Sequence, residues 1–292
     1  MRQNWAVNLA LLPMAITVLC CYIGTVLWSL RISTTSSKTF PASDFVGMAQ
    51  YVKLFTTERW TLSLQNMLVF GLIFVSACLA IGFLLAVFID QKVRGEGLLR
   101  TIFLYPYAMS FVATGLVWQW MLNPTLGLQE AVRQLGFPNF EFDWIISQDK
   151  VMYAIALAAV WQSAGLVMAL LLAGLRGVDE EIWKAARIDG IPVWRVYLSI
   201  VLPMIAPSIA TATVLLSLGV IKVFDVVVAM TGGGPGIASE VPAKFIMDYL
   251  FNRANIGLAS AASVVLLLVV LALLLPWLYA KKRRENAAAA GH

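Results

Sequence analysis

The chain has 292 residues, 60% of them hydrophobic and only 13% charged, with a net charge of +5. Soluble domains carry about 25% charged residues, so this composition excludes an ordinary soluble domain and puts the chain among membrane proteins. The positive excess reads as the basic bias of a polytopic protein rather than a nucleic-acid footprint, and no nucleic-acid partner is expected.

Six apolar segments follow one another, each near the ~20 residues needed to cross a ~30 Å hydrocarbon core. They are residues 9–30, 64–89, 101–122, 151–175, 204–228 and 256–279. Main-chain polar groups have to be satisfied within lipid, so these segments are helices. The fold class expected is all-α: a polytopic membrane protein of about six transmembrane helices. The first run is too long for a signal-peptide core and is read as a retained span. Tyr105 and Pro106 near the start of the third span mark a possible bend.

Three sequence blocks are expected: an N-terminal span with its first outer loop (1–63), a core (64–282) and a tail (283–292). Lys and Arg set the orientation. One set of flanks, holding Arg2, Lys92, Arg94, Arg100, Arg176, Lys184, Arg187, Arg195 and the block Lys281–Arg284, has twelve basic residues, and the longer opposite loops have eight. The positive-inside rule puts both termini and the loop between spans four and five in the cytoplasm.

That loop contains Glu180–Pro203, EEIWKAARIDGIPVWRVYLSIVLP. Asp179 stands at an N-cap position, and Glu180 and Glu181 fill the first turn, where they complement the helix dipole. Ile182, Ala185, Ala186 and Asp189 recur on one face. Gly190 suits the left-handed position that closes a helix, and Pro192 suits the first turn of the next. Val193, Val196, Tyr197 and Ile200 form an apolar face that Pro203 ends. The hairpin (179–203) is therefore a helix-turn-helix of cytoplasmic disposition. It fits either a knob for a partner's groove or a pair lying on headgroups.

At these residues the chain resembles the permease subunits of binding-protein-dependent ABC importers, whose signature is E-A-A-x3-G-x9-I-x-L-P. Here it reads Lys184-Ala185-Ala186, Gly190, then Ile200-Val201-Leu202-Pro203 with the spacing kept. Phe224-Asp225 followed by Thr231-Gly232-Gly233-Gly234-Pro235, and the Asn123-Pro-x-x-Gly127 turn, resemble the sugar-transporting branch of maltose- and glycerol-phosphate-type permeases. Lys184 departs from the usual Glu, and Glu180 or Glu181 one turn earlier is a candidate substitute acid.

The resemblance implies a bacterial inner-membrane subunit that pairs with a second, homologous permease, with a heterodimer expected. Two ATP-binding subunits would dock at the hairpins through Glu180, Glu181, Lys184, Ala185, Ala186, Asp189 and Gly190. A soluble solute-binding protein would face the loop of Gly232, Gly233, Gly234 and Pro235. The solute implied is a carbohydrate, a mono- or small oligosaccharide. The chain itself would hold no cofactor, with ATP and magnesium on the partner ATPase.

Residues considered for the solute path are Trp161, because sugar sites stack aromatic rings, and Phe224 and Asp225. Lys222 and Asp225, three apart on one expected span, line a route or snorkel near an interface. The Gly-rich segment lacks the Lys-Ser/Thr ending of a phosphate loop. The sequence shows no catalytic set: the only histidine is His292, and Cys20, Cys21 and Cys78 lack metal-ligand spacing. Neither a metal site nor enzymatic chemistry is expected. The alternative to an ATP-driven permease is a self-sufficient secondary transporter of a small polar solute.

Overall fold

The computed structural model describes residues 5–91 and 93–290. Arg2, Lys92 and His292, invoked above, lie outside the described residues, as do the side chains of Lys281, Arg283 and Arg284. In chain order, α1 (Trp5–Thr17) continues through a π-helical turn (Val18–Ile23) into α2 (Gly24–Ser33). Then come α3 (Ala49–Thr56), α4 (Glu58–Asp90), α5 (Glu96–Ala108), α6 (Phe111–Met121), α7 (Leu128–Gln134) and α8 (Val151–Leu175). The hairpin follows as α9 (Glu180–Ile188) and α10 (Val193–Arg195), the latter running through a π turn (Val196–Val201) into α11 (Leu202–Met204). The chain ends with α12 (Ala206–Ile221), α13 (Asp225–Thr231), α14 (Pro242–Met247) with a π turn (Asp248–Asn252), and α15 (Ile256–Ala290).

The all-α expectation holds. Among the described residues four helices are long and apolar enough to cross a membrane, and six if each of two bent pairs forms one span. The bends correct two of the six expected segments. The third breaks between Ala108 and Phe111, turning by 96°, and the fifth turns by 72° at Ile205. The first break lies just beyond Pro106, where Met109 is extended and the Ser110 side chain accepts from the Ala113 amide as an N-cap. At the second, Pro207 stands second in α12, just after the turn, where its missing N–H leaves no bond unmade. Pro203 does not end the hairpin's second arm as expected, because the helix runs on through Met204.

The expected span 204–228 also ends early. Lys222 caps α12 and Asp225 opens α13, with a non-helical Phe224 between them. The two charges are therefore not on one continuous helix, and both are exposed.

The chain forms two units, one from the segments up to Thr61 and from Lys244 on, the other from Leu62–Ala243. In the first, α15 packs along α2 and α3. A helix leaves its first amides without internal partners. Here those of Ile256 and Gly257 donate to the carbonyls of Lys38 and Ser37, at 3.2 and 2.9 Å. Asp248 collects Lys244 Nζ at 2.6 Å, Asn252 Nδ2 at 2.9 Å and the Arg59 guanidinium. Beside this cluster the Trp60 ring meets Phe245, which stacks on Tyr249. Burial pushes the Asp248 carboxyl up, but the hydrogen bonds from Lys244 and Arg59 outweigh it and hold the group below its usual range.

In the second unit α8 is the hub. It packs against α5, α6, α12 and α13, and in its first half the open residues Tyr153, Leu157 and Trp161 fall four apart on one stripe. Gly165 lets α5 approach: a Cβ there would lie 2.0 Å from the Phe103 carbonyl oxygen. Small residues at such crossings are what let helices pack closely in lipid.

Two measurements check this packing. Gly165→Ala is expected to destabilise the detergent-solubilised protein by about 1–3 kcal/mol, as overpacking does. Gly97→Ala on α5, which meets no atom within 4 Å, leaves the melting temperature unchanged or raised; equal shifts in the two would contradict the crossing.

The second concerns Asp248. A depressed carboxyl contributes stability that is present above the unfolded value of about 3.9 and is lost as pH falls through the folded value. The melting temperature of Asp248→Asn is therefore expected to start lower at neutral pH and to fall less on acidification than that of the parent. A parallel fall in both would contradict the ion cluster.

Candidate functional site: the capped hairpin and the hub helix

The hairpin forms as its local chemistry dictates. The Asp179 carboxylate accepts from the Glu181 amide at 3.0 Å, satisfying one of the orphan donors of the first turn. At the other end the Ile191 amide donates to Ala186 O at 3.0 Å and the Gly190 amide to Arg187 O at 3.3 Å. This is a Schellman closure, and Gly190 sits at φ +68°, where a Cβ would be strained. Pro192 is the N-cap of α10 rather than a residue of its first turn.

Of the expected coupling residues, Ala186 is buried, while Glu180, Glu181, Lys184, Ala185, Asp189 and Gly190 are exposed. Of the expected apolar face on the second arm, Val196 and Tyr197 are buried, Ile200 is half-buried and Val193 is exposed. The tip also presents Ile188, 86% exposed, and Trp194, 61% exposed.

A cavity of about 810 Å³ lies behind the tip. It is walled by the end of α4 (Asp90) with Gln91, by Glu96 at the start of α5, by Arg176 at the end of α8, and by Trp183 and Tyr197 of the two arms. Gln91 Nε2 donates to Tyr197 Oη at 2.8 Å, and Arg176 Nη2 to Glu96 Oε1 at 2.6 Å. The Trp183 ring stands edge-on to Tyr197 with centroids 5.1 Å apart. Sequence reading missed these contacts, since no local pattern pairs residue 91 with residue 197.

Around the middle of α8 the structure gathers polar groups in an apolar setting. Gln162 Nε2 donates to the Met109 carbonyl at 2.8 Å, which takes up a main-chain group at the α5–α6 break. Gln162 Oε1, Thr114 Oγ1 and Trp118 Nε1 are buried without a hydrogen-bond partner. Trp161, half-open on the stripe of α8, stands edge-on to Trp118 with centroids 5.9 Å apart. Trp161 was singled out in the sequence; Gln162 was not, although a glutamine in the middle of a 25-residue apolar helix was the available signal. Phe224 and Asp225 lie elsewhere, at the opening of α13.

At the end of this unit where α8 begins, the Gly-rich segment is pinned. Ser239 Oγ lies 2.7 Å from Thr231 Oγ1 and donates to Gly234 O, also at 2.7 Å. Asn66 Nδ2 donates to the carbonyls of Ala238 and Glu240. Gly232 closes α13 at φ +62°, Gly233 follows at φ +98°, and the Gly234–Pro235 bond is cis. Gly234 and Pro235 line a pocket of about 330 Å³ with Gln119, Asn123 and Ile146. Asn123 makes the turn expected after the third segment, its Oδ1 accepting from the amides of Thr125 and Leu126.

The second unit thus sets bent spans around a largely buried hub helix, with a capped amphipathic hairpin at one end and a pinned loop at the other. Residues 78–284 match the family model described as "Binding-protein-dependent transport system inner membrane component", and the chain belongs to that family. It is 35% identical over 273 residues, 93% of this chain and 94% of the relative, to a probable ABC transporter permease protein of Pyrococcus horikoshii. It is 30% identical over 258 residues, 88% of this chain and 86% of the relative, to the trehalose/maltose transport system permease protein MalF of Thermococcus litoralis. In fold it superimposes with a TM-score of 0.82, at 20% identity and covering 97% of this chain and 96% of the other, on a chain of a bacterial ABC transporter involved in the import of the acidic polysaccharide alginate. The protein is thus a multi-pass inner-membrane permease subunit of an ABC importer, a non-catalytic subunit whose ATP is bound by a partner.

The two caps yield a test. Asp179→Ala is expected to cost about 1 kcal/mol of α9 stability and Gly190→Ala about 1–2 kcal/mol. Hydrogen exchange of the amides in Glu180–Ile188 should accelerate accordingly while that of α8 stays protected; unchanged exchange in α9 would contradict the capping.

Proposed function

We propose that this subunit passes a mono- or small oligosaccharide from a solute-binding protein into the cytoplasm, driven by ATP-binding subunits that dock on the hairpin. The observation that carries the reading is the tip itself. Ile188, Val193 and Trp194 are exposed on a hairpin whose caps leave it little freedom. An apolar tip on a rigid element suits a knob held in a partner's groove. The binding-protein dependence of the family supports a soluble partner at the opposite end, where the loop of Gly232, Gly233, Gly234 and Pro235 is pinned for docking. Glu180, Glu181, Lys184, Ala185, Asp189 and Gly190 form the ATPase-facing surface, while Ala186, buried beneath them, seats the helix instead of meeting the partner. The basic flanks support a cytoplasmic hairpin and cytoplasmic termini.

A second, homologous permease completes the path, and the open stripe of Tyr153, Leu157 and Trp161, the exposed residues in the first half of α8, suits its edge. Carbohydrate is favoured by the Trp118–Trp161 pair beside the unpartnered oxygens of Thr114 and Gln162. A ring to stack on and hydroxyl partners to bond are what a sugar recruits. The relative named for trehalose and maltose supports the same class. Phe224 and Asp225 serve the mouth of the path rather than its middle.

The test is reconstitution in proteoliposomes with trehalose and maltose as probes. Uptake is expected only when the second permease, the ATP-binding subunit, the binding protein and ATP are all present. Trp161→Ala and Gln162→Leu should each lower uptake about 3- to 10-fold, the effect of one lost aromatic contact or hydrogen bond. Uptake by this chain alone, without ATP, would overturn the reading in favour of a secondary transporter.

A further inference from the structure

The hairpin is bonded to more than the two helices that flank it in sequence. Only Ala186 of α9 is buried, so little of the first arm is anchored by its own packing. The second arm carries the anchor: Tyr197, 7% exposed, receives the Gln91 amide on its hydroxyl, the Trp183 ring on one edge and the Phe83 ring of α4 on another, with centroids 6.4 Å apart. Gln91 directly follows the last residue of α4, and Glu96, the first residue of α5, is paired to Arg176 at the end of α8. The Arg176–Glu96 pair is open to water on one side, and such pairs hold orientation weakly. The Tyr197 ring is buried and held by Trp183 and Phe83, and through its hydroxyl it joins this fixed position to Gln91, which is itself exposed, by a part-buried bond.

An element that can tilt freely at its base transmits no displacement to its neighbours; coupling needs a contiguous chain of fixed contacts. We propose that Gln91 and Tyr197 form a latch that makes the α4–α5 turn move as one body with the hairpin. A push on the tip then enters α4 and α5 directly, and not only α8 and α12 through the backbone. Both are positioning residues: neither touches solute or nucleotide. The inference rests on the reading that ATP-binding subunits dock on the hairpin.

The test uses the full complex in lipid nanodiscs. Spin labels go on Gly97→Cys in α5 and Ser199→Cys in the second arm, with Cys20 and Cys21 replaced by Ser and Cys78 by Ala. Pulsed-dipolar distances are recorded without nucleotide and with ATP trapped by vanadate. With the latch intact the distance is expected to stay within about 2 Å between the two states, the size of ordinary helix shifts. In Tyr197→Phe, which keeps the ring and its contact with Trp183, and in Gln91→Leu, it should change by more than that on trapping. The double variant should change no more than either single one, because both remove the same bond. Gln91→Glu should behave as the parent, since the phenol O–H can donate to its carboxylate. A parental distance that changes on trapping, or a Tyr197→Phe complex indistinguishable from the parent, would overturn the latch alone. If the ATP-binding subunit fails to bind the parental complex, the docking reading falls and the latch falls with it.

Discussion

A main-chain group released inside an apolar slab needs a partner, and most of this structure follows from how that is arranged. Where α5 gives way to α6 the chain turns by 96°, and the Met109 carbonyl takes its hydrogen bond from Gln162 on α8. The helix that supplies this bond is also the most buried of the four long apolar helices among the described residues. The bend and the hub therefore belong together. A straight third span would need no partner from α8, and an all-apolar α8 would leave the bend's carbonyl with no partner there. The Gln162 side chain spends its donor on the fold and leaves its acceptor in the interior, next to a tryptophan pair. A structural polar residue thus also directly follows Trp161, which lies on the open stripe of the hub.

Legibility in the sequence followed the range of the interactions. The runs that became α4, α8 and the apolar part of α15 were read correctly because continuous hydrophobicity over 20 or so residues has one common solution in lipid. The hairpin was legible for a different reason: capping is chemistry between neighbours, so Asp179 and Gly190 announce a start and a stop by themselves. Pro192 and Pro203 were placed a little wrong, since a proline is compatible with an N-cap, a first turn or a π-turn boundary, and packing chooses among them.

Of the two bends, Tyr105 and Pro106 marked the one in the third segment, while its size and its partner, a glutamine 56 positions from Pro106, were not legible, and the bend at Ile205 was not foreseen. The fifth apolar run looked continuous because Lys222–Asp225 is too short an interruption to lower its hydrophobicity. The helix nonetheless ends there, so the assumption that the two charges share a face failed. The tie between Gln91 and Tyr197 had no sequence signal, as it joins segments that meet only once α4 and α8 have been laid side by side.

The central claim is that one end of this subunit takes up the work of ATP and the other receives cargo. The most direct measurement places a photo-crosslinking residue at Ala185 on the hairpin and, separately, at Leu126 in the turn after α6, both exposed, in the assembled importer. The account predicts capture of the ATP-binding subunit from Ala185 and of the solute-binding protein from Leu126. Capture of the ATP-binding subunit from Leu126, or its absence at Ala185 in an assembled and active complex, would contradict it.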